Sequence, residues 1–315
     1  MNAWLAMSAA FLIMGGQFAV GKLGLRAGLS AYDLVALRYV FAALALAPVL
    51  GLKWAGGWKD AAGVGWVRAL LLAVIAGSPY SLMMFSALNW VPAAHGAMLV
   101  PGVTVVMGTL LGALWLGERH PPRRYVGAAL VLLGVLLIGA HSLDAPVTGR
   151  LGDALFLASG VAWGLYTLLV KRWKLEPLAA TAALTMASLL YLPPYWLWLE
   201  PRLAGVPWSA SLLQGLYQGV LQSVVAMIAY AYAVKRLGAA TVAVGIATVP
   251  VIGTLIGIEL AAEWPAGLTW AGLAAVSLGT LVANWPARRG ATPVLVPAAA
   301  SPDAAHCAAT PSPRG

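Results

Sequence analysis

The segments GTLLGALWLGE (108–118) and GTLIGIELAAE (253–263) lie 145 residues apart and share a pattern of small residues closed by a glutamate. The same offset aligns residues 94–138 with residues 239–283 without a gap, and eleven identities fall between residues 108 and 136. A weaker echo at an offset of 149 pairs Lys22 with Lys171. So many identities in one register are hard to reach by chance, and we expect the chain to contain two copies of one unit.

Apolar side chains dominate the composition of this 315-residue chain. Hydrophobic residues make up 61% and charged residues 9%, and the mean hydropathy is +0.85, whereas soluble domains carry about 25% charged residues. So little polar surface cannot coat a water-soluble particle, which excludes soluble enzymes, nucleic-acid-binding domains and disordered chains. The single cysteine, Cys307, excludes disulfide scaffolds and cysteine-based metal clusters, and we expect no cofactor and no metal.

Ten apolar segments are candidates for membrane-spanning helices, since about 20 residues cross a hydrocarbon core of about 30 Å. They are continuous runs, unlike the alternating strands of a β-barrel. The predicted fold class is therefore an all-α integral membrane protein with ten transmembrane helices. The predicted spans, numbered 1 to 10 in chain order, cover residues 3–21, 32–51, 67–88, 94–117, 125–140, 152–171, 178–198, 211–234, 239–262 and 269–286.

The repeat and the spans together give five helices per copy. Because five is odd, the second copy enters the membrane from the opposite face, and inverted repeats of this kind characterise many transporters. Two inverted copies can exchange shapes, so that one face closes as the other opens. We expect a first repeat over 1–140, a periplasmic linker over 141–151, a second repeat over 152–287 and a disordered cytoplasmic tail over 288–315.

Basic residues are distributed unevenly between the two sides of this topology. Fourteen lysines and arginines fall on the side of the chain termini and four on the other, with Arg38 inside span 2. Because cytoplasmic loops carry the excess of Lys and Arg, both termini are expected in the cytoplasm. The net charge of +9 is then a topology signal, and the expected partner is the lipid bilayer and not a nucleic acid.

Four motifs occur in an order typical of a known family. They are MGGQFAVGKLGL (14–25), the arginine of YDLVALRYVFAALAL (32–46), LGE (116–118) and AWGLYTLLVKR (162–172). In their joint order the chain resembles the ten-span exporter branch of the EamA-type drug/metabolite transporter superfamily. The resemblance implies a multi-pass carrier of the inner (plasma) membrane, usually an exporter of amino acids or related metabolites. Many relatives have Trp where this chain has Met14, while the second copy keeps Trp163.

Span 8 contains a stripe of three amides. Gln214, Gln218 and Gln222 recur every four residues, with Tyr217 and Tyr230 nearby, so they share one helix face. Amides on one face can line a solvated pathway and bind a zwitterion. The alternative is that they join helices, because glutamine side chains bridge helices in membranes.

Aromatic residues and one amide are predicted to shape a cavity between spans 1 and 6. Gln17 lies in span 1, and Trp163 and Tyr166 lie about one turn apart in span 6. Such walls suit a small amphipathic solute, while core packing of Trp163 is the alternative. Tyr80 in span 3 would add a hydroxyl group.

Prolines and glycines are expected to shape the spans. A proline removes one backbone hydrogen bond and bends the helix, and the expected hinges are Pro79, Pro101 and Pro250. The spacings Gly108-x-x-x-Gly112 and Gly253-x-x-x-Gly257 allow helices to approach closely. Their presence in both copies favours packing within the chain, so a monomer is expected and a dimer is the alternative.

Charged residues inside the membrane should be paired or wetted. The candidates for ion coupling are His95, Glu259 and Arg38, and an Arg38–Glu259 pair is one arrangement that the topology permits. Glu118 and Glu263 lie at span ends and are expected to pair with local bases or to cap interfaces.

The expected function is secondary transport or facilitated export of small neutral or zwitterionic metabolites by alternating access, with hydrophobic and aromatic amino acids favoured. A multidrug or other metabolite carrier of the same fold is the alternative. An intramembrane enzyme is not expected, because the four histidines are scattered and no catalytic motif or acidic cluster is visible. A non-transporting membrane subunit would leave the inverted repeat unexplained.

Overall fold

The computed structural model describes residues 2–53, 59–143, 146–199 and 201–286, and within these ranges the regular structure is helical. Ten helical spans are long and apolar enough to cross a membrane, which confirms the predicted fold class. The tail predicted over 288–315 lies outside the described residues. The ten spans are Ala3–Arg26, Ala31–Pro48, Trp66–Ala87, Ala93–Leu116, Pro122–Ala140, Val147–Arg172, Pro177–Trp198, Trp208–Leu237, Ala239–Ala261 and Gly267–Asn284.

The connection between the repeats is shorter than the linker expected over 141–151. The helix of span 5 is Pro122–Leu143 and that of span 6 is Val147–Arg172, so most of the expected linker is helical. The reason lies at the start of span 6, where the hydrophilic residues Arg150 and Asp153 hide a helix start from a hydropathy scan. The helix of span 2 likewise continues to Lys53.

Several spans are not uniform α-helices. Span 3 breaks at Gly77, just before Pro79, and span 9 has a 3-10 turn, Ile246–Thr248, just before Pro250. The α-helix is thus interrupted just before Pro79 and just before Pro250, whereas Pro101 lies within the unbroken helix Ala93–Leu116. Span 7 contains a 3-10 turn, Leu189–Tyr191, and span 8 contains a π-helical stretch, Gly215–Val225.

Spans 1 to 5 of the first repeat correspond in order to spans 6 to 10 of the second, and corresponding spans make corresponding contacts. Span 4 packs against span 6, and span 9 packs against span 1; span 2 packs against span 8, and span 7 packs against span 3. Spans 5 and 10 pack against each other, as do spans 4 and 9. The spans of each repeat therefore pack mainly against spans of the other repeat.

The two copies run in opposite directions. Lys22, near the end of span 1, donates a hydrogen bond to the carbonyl oxygen of Val91, and Gly152, near the start of span 6, packs against the Val91 side chain. The end of span 1 and the start of span 6 therefore lie at the same end of the bundle. We call this the far end, and the end that holds Asn2 and Asn284 the terminal end.

Glycines allow the closest helix contacts. A Cβ atom added to Gly279 in span 10 would lie 2.6 Å from the Val131 amide nitrogen and 2.7 Å from the Gly127 carbonyl oxygen in span 5. In the second copy of the small-residue spacing, a Cβ on Gly253 would lie 2.6 Å from the Ala97 Cβ. Gly253 therefore serves packing within the chain, as expected, whereas Gly108 has open space around it except for Arg124 at 4.0 Å.

Candidate functional site

A cavity of about 320 Å³ lies between the two repeats. Its walls come from the middle of spans 1 to 4 and from the parts of spans 6 to 9 that lead to the terminal end, so it reaches from the middle of the bundle toward that end. Ligand pockets are commonly about 300–1,000 Å³, so this volume suits a small solute. The lining residues include Met14, Arg38, Tyr39, Thr104, Trp163, Tyr166, Thr181, Thr185, Gln222, Ser223 and Tyr230.

Aromatic rings form one wall of the cavity. The ring centroids of Trp163 and Tyr166 are 4.9 Å apart, and those of Trp163 and Tyr80 are 5.4 Å apart. Trp163 and Tyr166 line the cavity, while Tyr80 is buried behind Trp163. Tyr80 therefore supports the wall and is not placed to contact a solute directly.

Arg38 lines the inner part of the cavity and is 6% exposed. Its Nη1 atom has no hydrogen-bond partner among the described residues. The pair with Glu259 that the topology permits is not formed, because the Glu259 side chain is exposed on span 9. Among the described residues that line the cavity, Arg38 alone carries a formal charge.

The glutamine stripe of span 8 divides between two roles. Gln214 Nε2 donates to the Val20 carbonyl oxygen at 2.7 Å, and Gln218 Nε2 donates to the Gln17 carbonyl oxygen at 2.8 Å. The Tyr217 hydroxyl donates to the Ile13 carbonyl oxygen at 3.1 Å. These three side chains join span 8 to span 1, so the geometry does not support the substrate contact expected for Gln218 and Tyr217.

Of the three glutamines in the stripe, only Gln222, the one nearest the terminal end, lines the cavity. Gln222 and Tyr230 line it, and the Gln222 Oε1 atom has no partner among the described residues. Gln17 does not line the cavity: it is buried, and its Nε2 atom donates to the Met14 carbonyl oxygen at 3.2 Å. Met14 itself occupies that place in the wall.

A lysine–glutamate ion pair joins the two repeats at each end of the bundle. At the far end, Lys22 Nζ lies 3.3 Å from Glu263 Oε1. At the terminal end, Lys171 pairs with Glu118. The repeat offsets relate Lys22 to Lys171 and Glu118 to Glu263, so these are two copies of one contact between the halves. The two glutamates were expected to pair with basic residues nearby in the sequence. Instead, each pairs with a lysine of the other repeat.

The two ion pairs differ in burial. The side chains of Lys22 and Glu263 are each 14% exposed, whereas those of Lys171 and Glu118 are 63% and 24% exposed. Glu263 also accepts from Arg26 at 3.2 Å and from the Ala93 amide at 2.8 Å. The far end is therefore held by a partly buried network, whereas the lysine–glutamate pair at the terminal end is more exposed.

His120 lies in the connection that follows span 4, with its Nε2 atom 3.6 Å from Glu118 Oε2. Burial and the nearby Arg124 cation lower the pKa of the His120 imidazole. The ring is therefore neutral at neutral pH, and Lys171 is the cation that Glu118 faces.

A second contact closes the far end, and the sequence analysis missed it. Asp33, which is fully buried, accepts hydrogen bonds from the Tyr195 hydroxyl at 2.6 Å and from the Arg202 amide at 3.2 Å. Asp33 also accepts from the Ser30 amide and hydroxyl, both at 2.7 Å. Its position three residues after a serine resembles an ordinary helix start, which hides the partners 162 and 169 residues away.

His95 is paired with a carboxylate that the sequence analysis also missed. Its Nδ1 atom lies 2.7 Å from Asp153 Oδ1, and both side chains are nearly inaccessible to solvent. The pair joins spans 4 and 6 near the far end. No group of three or more potential metal ligands is found in the described parts of the chain.

Comparisons with known proteins agree with this architecture. The EamA-like transporter family model matches residues 1–140 and 150–285. An uncharacterized protein of Pseudomonas aeruginosa is 33% identical over 246 residues, which cover 75% of this chain and 77% of that protein. A probable terminal-alkyne amino-acid exporter of Streptantibioticus cattleyicolor is 27% identical over 203 residues, covering 62% and 67% of the two chains.

A solved crystal structure has the same fold, with a TM-score of 0.55 and 21% identity over 89% of this chain and 96% of that one. The family match covers both halves of a chain whose two five-helix repeats enclose a cavity. The protein therefore belongs to the EamA-like transporter family.

Proposed function

We propose that the protein is a secondary carrier or facilitator that exports small neutral or zwitterionic metabolites, with hydrophobic and aromatic amino acids favoured. One observation carries this proposal: a cavity between two inverted repeats, with a partly buried ion pair at one end and its more exposed copy at the other. Inverted repeats around a central site are the architecture of alternating access. If the repeats exchange shapes, the far end opens and the terminal end closes.

The orientation of the export path follows from the basic residues. The terminal end carries the larger share of Lys and Arg, which favours a cytoplasmic position for this end and for both termini in the inner membrane. The cavity of the present conformation then faces the cytoplasm. This arrangement suits the loading of a solute for export.

The substrate class is supported by the lining and by one relative. The Trp163–Tyr166 wall offers an apolar face, and hydroxyl and amide groups provide a few polar contacts. A relative at 27% identity is named a probable amino-acid exporter. A multidrug carrier of the same fold is the second candidate, because an apolar and aromatic cavity wall also suits lipophilic drugs.

Transport by the purified full-length chain in liposomes tests the proposal. We expect a panel of radiolabelled amino acids to show flux above that of empty liposomes for leucine, phenylalanine and tryptophan, because the cavity wall is apolar and aromatic. The Trp163→Ala protein is the matched variant, and its flux for the aromatic members should fall about tenfold or more, since a buried aromatic contact is worth a few kcal/mol.

The amino-acid proposal fails if no member of the panel moves under an imposed gradient while a lipophilic dye does, because that result favours the multidrug carrier. Flux of neither class would count against transport itself. Product formation in the same vesicles, followed by mass spectrometry, would point instead to an intramembrane enzyme.

Coupling to protons, as part of the proposed transport, is better supported at His95 than at Glu259. His95 is buried and bonded to Asp153 between the two repeats, whereas Glu259 is exposed on span 9; neither side chain lines the cavity. We expect a pH gradient to drive uptake in the parent chain and in Glu259→Gln, and the His95→Gln chain to lose that dependence while keeping downhill exchange. Unchanged gradient-driven uptake by His95→Gln would eliminate His95 as the coupling group.

A further inference from the structure

We infer that the cavity binds its substrate's carboxylate at Arg38 and its ammonium group at Gln222, which narrows the substrate class to α-amino acids and similar zwitterions. This inference rests on the proposed transport function. It assigns one polar group of the ligand to each of two side chains in the cavity wall, on each of which one buried polar atom has no hydrogen-bond partner in the described parts of the chain.

Arg38 has the properties of an anion site. It lies about two turns into span 2 from the far end, so it stands at the inner part of a cavity that opens toward the terminal end. Its Nη1 atom is buried and lacks a hydrogen-bond partner among the described residues. A guanidinium group at membrane depth is costly unless it is paired or wetted, and a planar carboxylate matches its donors.

The neighbouring polar groups do not take the place of that anion. The Tyr39 hydroxyl is bonded to Ser81 Oγ at 2.9 Å, and the Thr104 hydroxyl donates to the Val100 carbonyl oxygen at 2.8 Å. The nearest acidic residue in the sequence, Asp33, is engaged by Tyr195 and Arg202. An anionic ligand is therefore the missing partner of Arg38 within the described cavity.

Gln222 has the complementary property. Its Oε1 atom is buried and has no partner among the described residues, and the same is true of Gln17, Gln214 and Gln218. Of these four glutamines, Gln222 alone lines the cavity. Span 8 meets span 2 at Gly219, where an added Cβ would lie 2.8 Å from the Arg38 carbonyl oxygen. Gln222 follows Gly219 by about one turn, and both Gln222 and Arg38 line the cavity.

One buried cation selects a particular charge on the ligand. A single guanidinium group balances one carboxylate, whereas a phosphate dianion would bring an uncompensated charge into a cavity whose other described walls are neutral. An amine without a carboxylate would meet repulsion from Arg38. The ligand that satisfies both free groups has one carboxylate and one ammonium group, with the aromatic wall left for its side chain.

Isothermal titration of the purified full-length chain at pH 6 tests the assignment with three probes of one size. Phenylalanine has both groups, phenylalaninamide lacks the carboxylate, and 3-phenylpropanoate lacks the ammonium group. We expect the parent chain to bind phenylalanine about tenfold to a hundredfold more tightly than the amide, as for the loss of a charge-assisted hydrogen bond.

The variants assign each group to its residue. Arg38→Gln should weaken the binding of phenylalanine and 3-phenylpropanoate by about tenfold or more. It should not weaken the binding of the amide, because the repulsion between Arg38 and the ammonium group is removed. Gln222→Leu should weaken phenylalanine and phenylalaninamide but not 3-phenylpropanoate. Arg150→Gln, which removes an exposed arginine at the start of span 6, is the control and should bind all three probes like the parent chain.

Three outcomes would overturn the inference: equal affinity of the parent chain for phenylalanine and its amide, an equal loss for all probes in Arg38→Gln, or no binding of any probe. Should Arg38→Gln fail to fold, Arg38→Lys keeps the charge and should retain the preference for carboxylates at lower affinity. Liposome flux of neutral solutes together with equal probe affinities would leave the proposed transport intact while removing the zwitterion site.

Discussion

The Glu263→Gln protein should open at the far end. With Cys307 replaced by serine and a single cysteine introduced at Ala94, which is 2% exposed, a membrane-impermeant maleimide should label the variant about tenfold faster or more than the parent. The reason is that Glu263 holds Lys22, Arg26 and the Ala93 amide together. Removing one partner of a fully buried pair costs about 3–5 kcal/mol, and we expect about 2 kcal/mol for this nearly buried network.

A cost of this size is enough to change which conformation is populated. Two conformers of a carrier commonly differ by a few kcal/mol, and about 1.4 kcal/mol changes their ratio tenfold. Because Glu263 joins span 9 to spans 1 and 4 only when the far end is closed, its loss disfavours that conformation alone. The open far end should then be the larger population.

Glu118→Gln is the matched control, since it removes the repeat-related carboxylate at the other end. The Lys171–Glu118 pair is wet in the present conformation, so its loss costs less than about 1 kcal/mol here. It would cost more in the conformation that closes the terminal end, so Ala94→Cys labelling should not rise. Equal labelling rates in the parent chain, Glu263→Gln and Glu118→Gln would mean that the far-end pair does not hold the closure.

The Gly279→Ala protein should be strongly destabilised, although alanine favours helices. Its methyl group would lie 2.6 Å from Val131 N and 2.7 Å from Gly127 O, and backbone atoms cannot rotate away. Forcing spans 5 and 10 apart costs about 1–3 kcal/mol or more, which exceeds the gain of about 1 kcal/mol in helix propensity. Thermal unfolding in detergent, followed by size-exclusion chromatography, should show a lower midpoint.

Gly139→Ala in span 5 is the control, and it should not lower the midpoint of thermal unfolding. Gly139 lies in span 5, and nothing lies within 4 Å of an added Cβ, so the propensity gain should leave the midpoint unchanged or raised. Equal midpoints for Gly279→Ala and Gly139→Ala would show that the close contact between spans 5 and 10 does not contribute to stability.

The spans and the duplication were predictable because both depend on the order of residues along the chain and not on contacts between distant residues. Hydrocarbon thickness fixes the length of an apolar run, and the register of 94–138 on 239–283 needs no knowledge of contacts. The ends of spans were less predictable. Span 6 begins at Val147 because a helix continues past polar residues such as Arg150 once it leaves the hydrocarbon, which hydropathy does not report.

Partners across the bundle were beyond the reach of the sequence. The Lys22–Glu263 and Lys171–Glu118 pairs cross from one repeat to the other, and the sequence offered only the repeat relation between the residues, not their contact. The period of the glutamine stripe defined a helix face. It did not predict that the Gln218 side chain would donate a hydrogen bond to the backbone of span 1, or that Gln222, one turn further along, would line the cavity.

Spin-label distances measured at both ends of the same protein in nanodiscs test alternating access most directly. One pair of labels at Asn89 and Trp264 reports on the far end, and a second pair at Arg119 and Arg172 reports on the terminal end; all four side chains are exposed. When transported substrate is added, the far-end distance should lengthen in the same fraction of molecules in which the terminal-end distance shortens. Distances that lengthen at both ends together, or that stay fixed at both while flux continues, would contradict an exchange of shape between the repeats.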